Sequence, residues 1–176
     1  VIPKRKVVNY FTPAQAQIWA RDGARCMRGG ERQDARAILI AIGAYQLEQI
    51  LRASDRLKER GVAHRVVYIQ EPGRFRSPRD AFEGAALASA QLHTELFPAN
   101  IPARLLLTHT RPETMLGVLR PIDTGHTTRA LGYINHGGTL DLNGMLFANR
   151  CTWAHVLAQV AQLVDEDVAK LLTATE

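Results

Sequence analysis

The sequence predicts a three-layer α/β/α domain built on a mostly parallel sheet of four or five strands. Short apolar runs alternate along the chain with segments of helical periodicity, and this alternation is typical of parallel sheets with crossover helices. The runs are almost continuous in apolar residues, as expected for strands buried on both faces. With 176 residues, of which 46% are hydrophobic, the chain is long enough to bury such a core.

The first predicted elements are a helix over 13–28 and a strand over 36–42. Thr12 before Pro13 is the pattern of an N-cap followed by proline in the first helical position. A glycine pair at 29–30 would end the helix. The strand that follows, RAILIAI, is a continuous apolar run of the kind found in parallel sheets.

The next part of the chain predicts a helix and a second strand. Apolar residues recur at helical spacing from 45 to 57, and Gly61 is placed to cap that helix. The β-branched run HRVVYIQ at 64–70 is the second strand.

The remaining elements alternate in the same way. In chain order they are a loop at 71–78, an alanine-rich helix at 79–96, a third strand at 104–108, a short helix at 112–119, a fourth strand at 128–135, a helical turn at 141–149 and an amphipathic helix at 151–164. Ligands of open parallel sheets bind beyond the carboxyl ends of the strands. Those ends fall at 43–44, 70–71, 108–109 and 135–136.

The formal charge of +5 lies entirely at the start of the chain. Residues 1–36 hold eight basic and three acidic side chains, whereas residues 37–176 hold fourteen of each. The body of the domain is therefore neutral, which argues against a nucleic-acid-binding module with a basic face. We expect residues 1–12 to be a basic leader or linker from an upstream domain, and residues 13–176 to form a single α/β domain.

The composition also restricts the cellular setting. No apolar run is long enough to span a membrane, and the first residues lack the apolar core of a signal peptide. Cys26 and Cys151 lie far apart and form neither a disulfide framework nor a CxxC motif. We expect a cytoplasmic protein without a membrane partner.

Familiar catalytic and cofactor motifs are missing from the sequence. It contains no P-loop, no G-x-S-x-G elbow and no H-E-x-x-H pair, so no metal ligand or nucleophile is assigned. Cys151 is either a thiolate at a helix start or, as we favour, a buried structural thiol. The glycine-rich segment 132–145 could bring backbone N–H groups to an anion or simply cover a sheet edge, and the sequence favours neither.

One set of residues follows the spacing of a known family. The family carries a stretch like H-G-Y-P-W about two dozen residues before G-Y-x-x-x-G-T-T-T-T-P-F-D-M, and then an Asn and a later His. The residues that match this pattern without a gap are His109, Pro112, Gly132, Tyr133, Gly137, Thr139, Met145, Asn149 and His155. Residues 109–155 thus resemble the C-terminal domain of xylulose-5-phosphate/fructose-6-phosphate phosphoketolase, a thiamine-diphosphate enzyme. The order Tyr10, Thr12, Ala16 before the first strand is also similar, although the threonine run is reduced to Thr139.

The resemblance implies the transketolase C-terminal-like fold of thiamine-diphosphate enzymes. It implies a parent enzyme of carbohydrate and pentose phosphate metabolism, a carbon–carbon lyase. That enzyme cleaves a ketose phosphate with phosphate to acetyl phosphate and an aldose phosphate. Thiamine diphosphate and a divalent metal, Mg or Ca, would lie between two other domains across a dimer interface. This chain would then bind no cofactor alone and catalyse nothing in isolation.

The resemblance also implies what the chain contacts. Its partners would be the upstream catalytic domains of the same polypeptide and a second copy in a homodimer. A family lysine that helps to hold the substrate phosphate has its counterpart in Lys4 or Lys6, and the spacing does not choose between them. Two alternatives stay open: the C-terminal domain of transketolase or of a 2-oxo acid dehydrogenase, and a non-catalytic regulatory or binding module.

Overall fold

Five strands form one sheet in the computed structural model, which describes residues 8–134 and 139–176. The strands are β1 (Ala24–Arg28), β2 (Ala37–Ile42), β3 (His64–Ile69), β4 (Ala103–Thr108) and β5 (Thr127–Leu131). The helices are α1 (Pro13–Asp22), α2 (Ala44–Glu59), α3 (Ala81–Gly84), α4 (Ala90–Leu96), α5 (Pro112–Val118), α6 (Arg120–Asp123), α7 (Leu142–Ala148), α8 (Trp153–Leu163) and α9 (Val168–Leu171), with a 3₁₀ turn at Pro72–Phe75.

The strand order is β1-β3-β2-β4-β5, with β2 in the centre. Strands β2 to β5 are parallel to their neighbours, and only β1 runs antiparallel, along β3. The predicted mostly parallel α/β/α architecture is thus confirmed.

Alternate residues of the buried central strand supply the cores of the two outer layers. Leu39 packs in the core beneath α2 and α8, whereas Ile38 and Ile40 pack in the opposite core with residues of α4, α5 and α6. All six residues of β2 are buried, and so are all six of β4. Burial on both faces explains why β2 is a continuous apolar run in the sequence and why β4 is mostly apolar.

The predicted helix over 13–28 is wrong in its second half. Helix α1 ends at Asp22, because Gly23 adopts a left-handed conformation (φ 78°) and its N–H donates to the carbonyl of Trp19. The following residues, Ala24–Arg28, form the antiparallel strand β1. Pairing with the edge of β3 therefore decides the structure of a segment whose local pattern suggested a continuing helix.

The predicted long helix over 79–96 is also wrong, since two short helices replace it. Asp80 caps α3 by accepting from the N–H of Glu83, and Ser89 caps α4 by accepting from the N–H of Leu92. Two N-caps inside one alanine-rich segment restart the helix, which the composition alone does not show. The fourth strand also ends early, at Leu131, and position 135 lies outside the described residues.

Two arginines are buried at the same level of the sheet. Arg65 of β3 and Arg104 of β4 both pair in register with Ile38, and they are 4% and 1% exposed. Arg104 donates to the carbonyl oxygens of Ile122 and Phe97, and Arg65 donates to those of Arg32 and Glu95. Burial lowers the pKa of Arg104 to about 10. The hydrogen bonds of both guanidinium groups therefore go to backbone carbonyls rather than to carboxylates, and the buried Nε of Arg104 has no partner among the described residues.

A buried serine–histidine pair joins α2 to the start of β3. Ser54 Oγ lies 2.7 Å from His64 Nε2, and His64 Nδ1 lies 2.8 Å from the carbonyl oxygen of Val62. If Nδ1 carries the proton for that carbonyl, Nε2 accepts from the Ser54 hydroxyl, which itself accepts from Arg28 Nη1 at 3.0 Å. The pair thus holds a neutral imidazole against the end of the sheet.

The stability of the fold should fall as the pH drops below about 6.5, the unperturbed pKa of histidine. Burial lowers the pKa of His64, the hydrogen bond to the Val62 carbonyl partly opposes this, and Arg28 and Arg32 lower the pKa further against a smaller opposing effect of Asp55. Because the unfolded chain then takes up a proton more readily than the folded one, the contribution of neutral His64 is complete above that pH and is lost as the pH falls. Urea unfolding from pH 8 to pH 5 measures the slope, and the His64→Gln variant should show a flatter one. An identical slope in both proteins would contradict this assignment.

Candidate functional site

The carboxyl ends of β2, β4 and β5 meet at one edge of the sheet, because these strands are parallel neighbours. His109 directly follows β4, and its backbone N–H donates to the carbonyl of Ile42, the last residue of β2, at 3.2 Å. Its imidazole Nδ1 lies at the same distance from that carbonyl. The contacts of the backbone N–H and of the imidazole with one carbonyl hold His109 at the carboxyl ends of β2 and β4.

A cavity of about 250 Å³ opens beside His109. Its lining combines hydrogen-bonding groups and apolar side chains from four parts of the chain, namely Tyr45, Gln46, Thr108, His109, Tyr133, Leu142, Met145, Leu146, Asn149 and Cys151. The site therefore lies where ligands of open parallel sheets are expected.

The two halves of the sequence motif meet at this edge. Tyr133 N–H donates to the carbonyl of Thr110 at 3.0 Å, which joins the segment after β5 to the turn after His109. Gly132 makes this approach possible, since a Cβ at this position would lie 2.3 Å from the carbonyl oxygen of Thr110. The spacing between His109 and the Gly132-Tyr133 pair thus reflects a close backbone contact between two strand ends.

Asn149 joins two segments beside the cavity through hydrogen bonds of its side chain. Its side chain is buried, Oδ1 accepts from the N–H of Ile134 at 2.8 Å, and Nδ2 donates to the carbonyl of Met145 at 2.9 Å. With both ends of the amide engaged by backbone, Asn149 positions the segment after β5 against the end of α7. We infer a positioning residue rather than a group that reacts with a ligand.

Cys151 is a structural thiol in this arrangement. It is 3% exposed, and its Sγ donates to the carbonyl of Asn149 at 3.2 Å. Burial raises the pKa of this thiol to about 11, so it is protonated at neutral pH. The helix-start thiolate is therefore not supported, and the buried structural thiol is.

The other sequence-predicted residues lie elsewhere. His155 lines a neighbouring cleft rather than this cavity, and Thr139 is exposed. Lys4, Lys6 and Gly137 lie outside the described residues. The sequence had not singled out Tyr45 and Gln46, which reach the cavity from the first turn of α2. Their one signal is position, since they lie two and three residues after Gly43 at a strand end.

The donor set of the cavity does not suit thiamine diphosphate and its metal. None of the lining residues is a carboxylate that could bind a divalent cation, and none is a lysine or arginine that could pair with a diphosphate. Within residues 8–134 and 139–176, no three His, Cys, Asp or Glu side chains are grouped to hold a metal ion. The neutral donors and apolar walls fit an uncharged group or the surface of another domain.

No helix in the described part of the chain is long and apolar enough to cross a membrane. This finding concerns only helices among those residues.

Comparisons with known proteins identify the fold through solved structures. No protein-family model matches the sequence, and no curated protein matches it. The transketolase from Leishmania mexicana superposes with a TM-score of 0.61 at 14% identity, over 84% of this chain and 19% of that one. The Campylobacter jejuni transketolase gives 0.57 at 11%, over 81% and 19%. A split-gene transketolase, described as an inactive β4 tetramer, gives 0.53 at 16%, over 90% and 47%.

The molecule is thus an α/β domain with its candidate site at the carboxyl ends of a five-stranded, mostly parallel sheet. Its fold is transketolase C-terminal-like. The chain spans about a fifth of the two transketolases and under half of the split-gene chain.

Proposed function

We propose that this chain is the C-terminal domain of a phosphoketolase-like thiamine-diphosphate enzyme. The parent enzyme would cleave a ketose phosphate with phosphate to give acetyl phosphate and an aldose phosphate. The observation that carries the proposal is the meeting of His109, Gly132, Tyr133 and Asn149 at one sheet edge. These residues belong to the phosphoketolase-like pattern, and the transketolase-like fold supports their assignment to such a domain.

The role we propose for the chain is contact with the catalytic domains and with a second copy of the enzyme. Because the chain corresponds to a fifth of a transketolase, the cofactor and its metal belong to the remainder of the parent enzyme. Tyr133, Ile134 and Leu140 lie between β5 and α7, and they are 36%, 38% and 47% exposed. Exposed apolar residues beside a cavity without charged lining suit a protein surface better than a charged cofactor.

Transketolase is the second candidate for the parent enzyme, since the structural neighbours are transketolases. The split-gene transketolase is inactive as a β4 tetramer. By analogy, a chain of this fold would require separate or upstream catalytic domains before any turnover occurs.

An activity assay of the chain with and without the catalytic domains of its parent enzyme tests the proposal. The chain alone should give no turnover, and the assembled enzyme should form acetyl phosphate from xylulose 5-phosphate and phosphate. Ketol transfer to an aldose without acetyl phosphate would identify a transketolase instead. An assembled, cofactor-loaded enzyme that does neither would overturn both assignments.

Replacing Ile134 by aspartate should weaken association with the catalytic domains about tenfold or more, because a buried interface carboxylate lacks a partner. Phe82→Asp is the matched control. Phe82 is 90% exposed on α3 and does not line the cavity beside His109, so its replacement should leave association unchanged. Sedimentation or titration calorimetry with the purified catalytic domains measures both constants. Equal effects of the two variants would exclude this edge as the interface.

A further inference from the structure

A second, larger cleft lies along the outer edge of the sheet. Its volume is about 640 Å³, within the range of small-molecule sites. Its walls come from the end of β5, from α7 and α8, and from the turn between these helices, with lining residues Leu131, Phe147, Arg150, His155, Ala158 and Gln159.

The charge on the lining of this cleft is positive. Among the described residues that line the cleft, Arg150 is charged and none is acidic. Helices α7 and α8 carry no Asp, Glu, Lys or Arg. Among the described residues Arg150 forms no ion pair with a carboxylate, whereas eight other arginines do. A second guanidinium is close by, since Arg129 Nη1 of β5 lies 3.5 Å from Gln159 Oε1.

Arg150 also adopts a left-handed backbone conformation, which is unfavourable for arginine. Three helices in the described part of the chain end in the same motif, in which a left-handed residue follows the helix and the next N–H donates back into the last turn. That residue is Gly61 after α2, Arg150 after α7 (φ 55°) and Asp165 after α8 (φ 53°). Glycine adopts this conformation without strain, whereas the Cβ of arginine makes the conformation unfavourable. Strained residues of this kind often mark functional sites.

The remaining walls supply neutral donors and an apolar surface. His155 Nδ1 lies 2.7 Å from Thr152 Oγ1, and the tautomer that accepts from this hydroxyl carries its proton on Nε2 as a donor. Burial and the charge of Arg150 lower the pKa of His155, so the ring is neutral at pH 7. Phe147 packs edge-on against this ring, with centroids 5.6 Å apart, and is 70% exposed.

We propose that this cleft binds a small molecule that carries a phosphate or carboxylate on an apolar or aromatic body. Arg150 pairs with the oxyanion, while His155 and Gln159 donate hydrogen bonds to it. Phe147 and Leu131 pack against the body of the ligand. The site rests on the charge and shape of the cleft and does not depend on the identity of the parent enzyme.

Titration of the 176-residue chain with phenyl phosphate, benzoate and inorganic phosphate tests the site. We expect saturable binding of phenyl phosphate or benzoate, with chemical-shift changes at His155, Phe147 and Gln159 in the NMR spectrum. Comparison of the two aromatic probes identifies the preferred oxyanion, and inorganic phosphate, which lacks the apolar body, should bind more weakly. If neither aromatic probe binds up to about 10 mM, the affinity is too weak for a site and the proposal fails.

The Arg150→Gly variant separates binding from folding. It should raise the melting temperature, because glycine relieves the left-handed strain, and weaken aromatic-anion binding about tenfold or more, because the guanidinium is lost. Asp165→Gly is the matched control at the equivalent position after α8. It should also raise the melting temperature and leave binding unchanged. Retention of full affinity in Arg150→Gly would overturn the proposal.

Discussion

Replacing Arg104 by alanine is expected to lower the free energy of unfolding by about 2–4 kcal/mol. The side chain is 1% exposed and donates to the carbonyl oxygens of Ile122 and Phe97. Its removal leaves a cavity at the amino end of β4 and deprives two carbonyls of their charged donor. Replacement by alanine also removes the cost of desolvating the guanidinium in the folded protein. The net loss of stability is therefore smaller than the sum of the losses from the cavity and from the missing hydrogen bonds.

Urea unfolding of three variants resolves these contributions. Arg104→Met keeps most of the volume and removes the charge, so it should be at least about 1 kcal/mol more stable than Arg104→Ala. Arg129→Ala is the matched control on the neighbouring strand β5, where the side chain is exposed, and should change stability by less than about 0.5 kcal/mol. Similar losses in Arg104→Ala and Arg129→Ala would show that the buried contacts contribute little.

Replacing Gly132 by valine is expected to destabilise the protein by about 1–3 kcal/mol and to distort the candidate site. A Cβ at this position would lie 2.3 Å from the Thr110 carbonyl oxygen and 2.8 Å from Thr108 Cγ2. The first of these atoms is backbone, so the strand ends must move apart. The hydrogen bond from Tyr133 N–H to the same carbonyl should then weaken, and with it the wall of the cavity beside His109.

Thermal unfolding together with amide hydrogen exchange at Tyr133 measures both effects. Gly117→Ala is the matched control, since a Cβ there meets no atom within 4 Å and the residue lies inside α5. This control should be neutral or stabilising by up to about 1 kcal/mol, the helix-propensity difference between the two residues. Unchanged stability and Tyr133 exchange in Gly132→Val would refute the close-contact explanation.

Much of the fold could be predicted because the strongest local patterns and the tertiary structure agree. Strands β2, β3 and β4 are buried on both faces, so their sequences are short runs of mostly apolar, β-branched or leucine residues. Strand β1 could not be predicted in this way. Its side chains are mostly half-buried or exposed at the edge of the sheet, and only its pairing with β3 distinguishes it from the end of a helix.

Some residues of the candidate site could likewise be predicted from the sequence, and others could not. His109, Gly132, Tyr133 and Asn149 could be named in advance because their spacing follows a known family, and the structure places them around one sheet edge. Tyr45 and Gln46 carried no such signal, since a residue near a strand end is common in any parallel sheet. Arg150 was missed for a related reason. A left-handed arginine is evident only from the backbone angles, and its unpaired charge only from its neighbours.

The sequence by itself thus determined the class of fold, the concentration of the positive charge in residues 1–36, and the family-like spacing from 109 to 155. These properties depend on composition and on local periodicity, which can be read directly from the sequence. The tertiary structure alone decided the strand order, the antiparallel edge β1, and which polar groups face one another across separations such as 30 and 104 residues. Those features depend on contacts between distant segments, where burial and hydrogen bonding outweigh local preference.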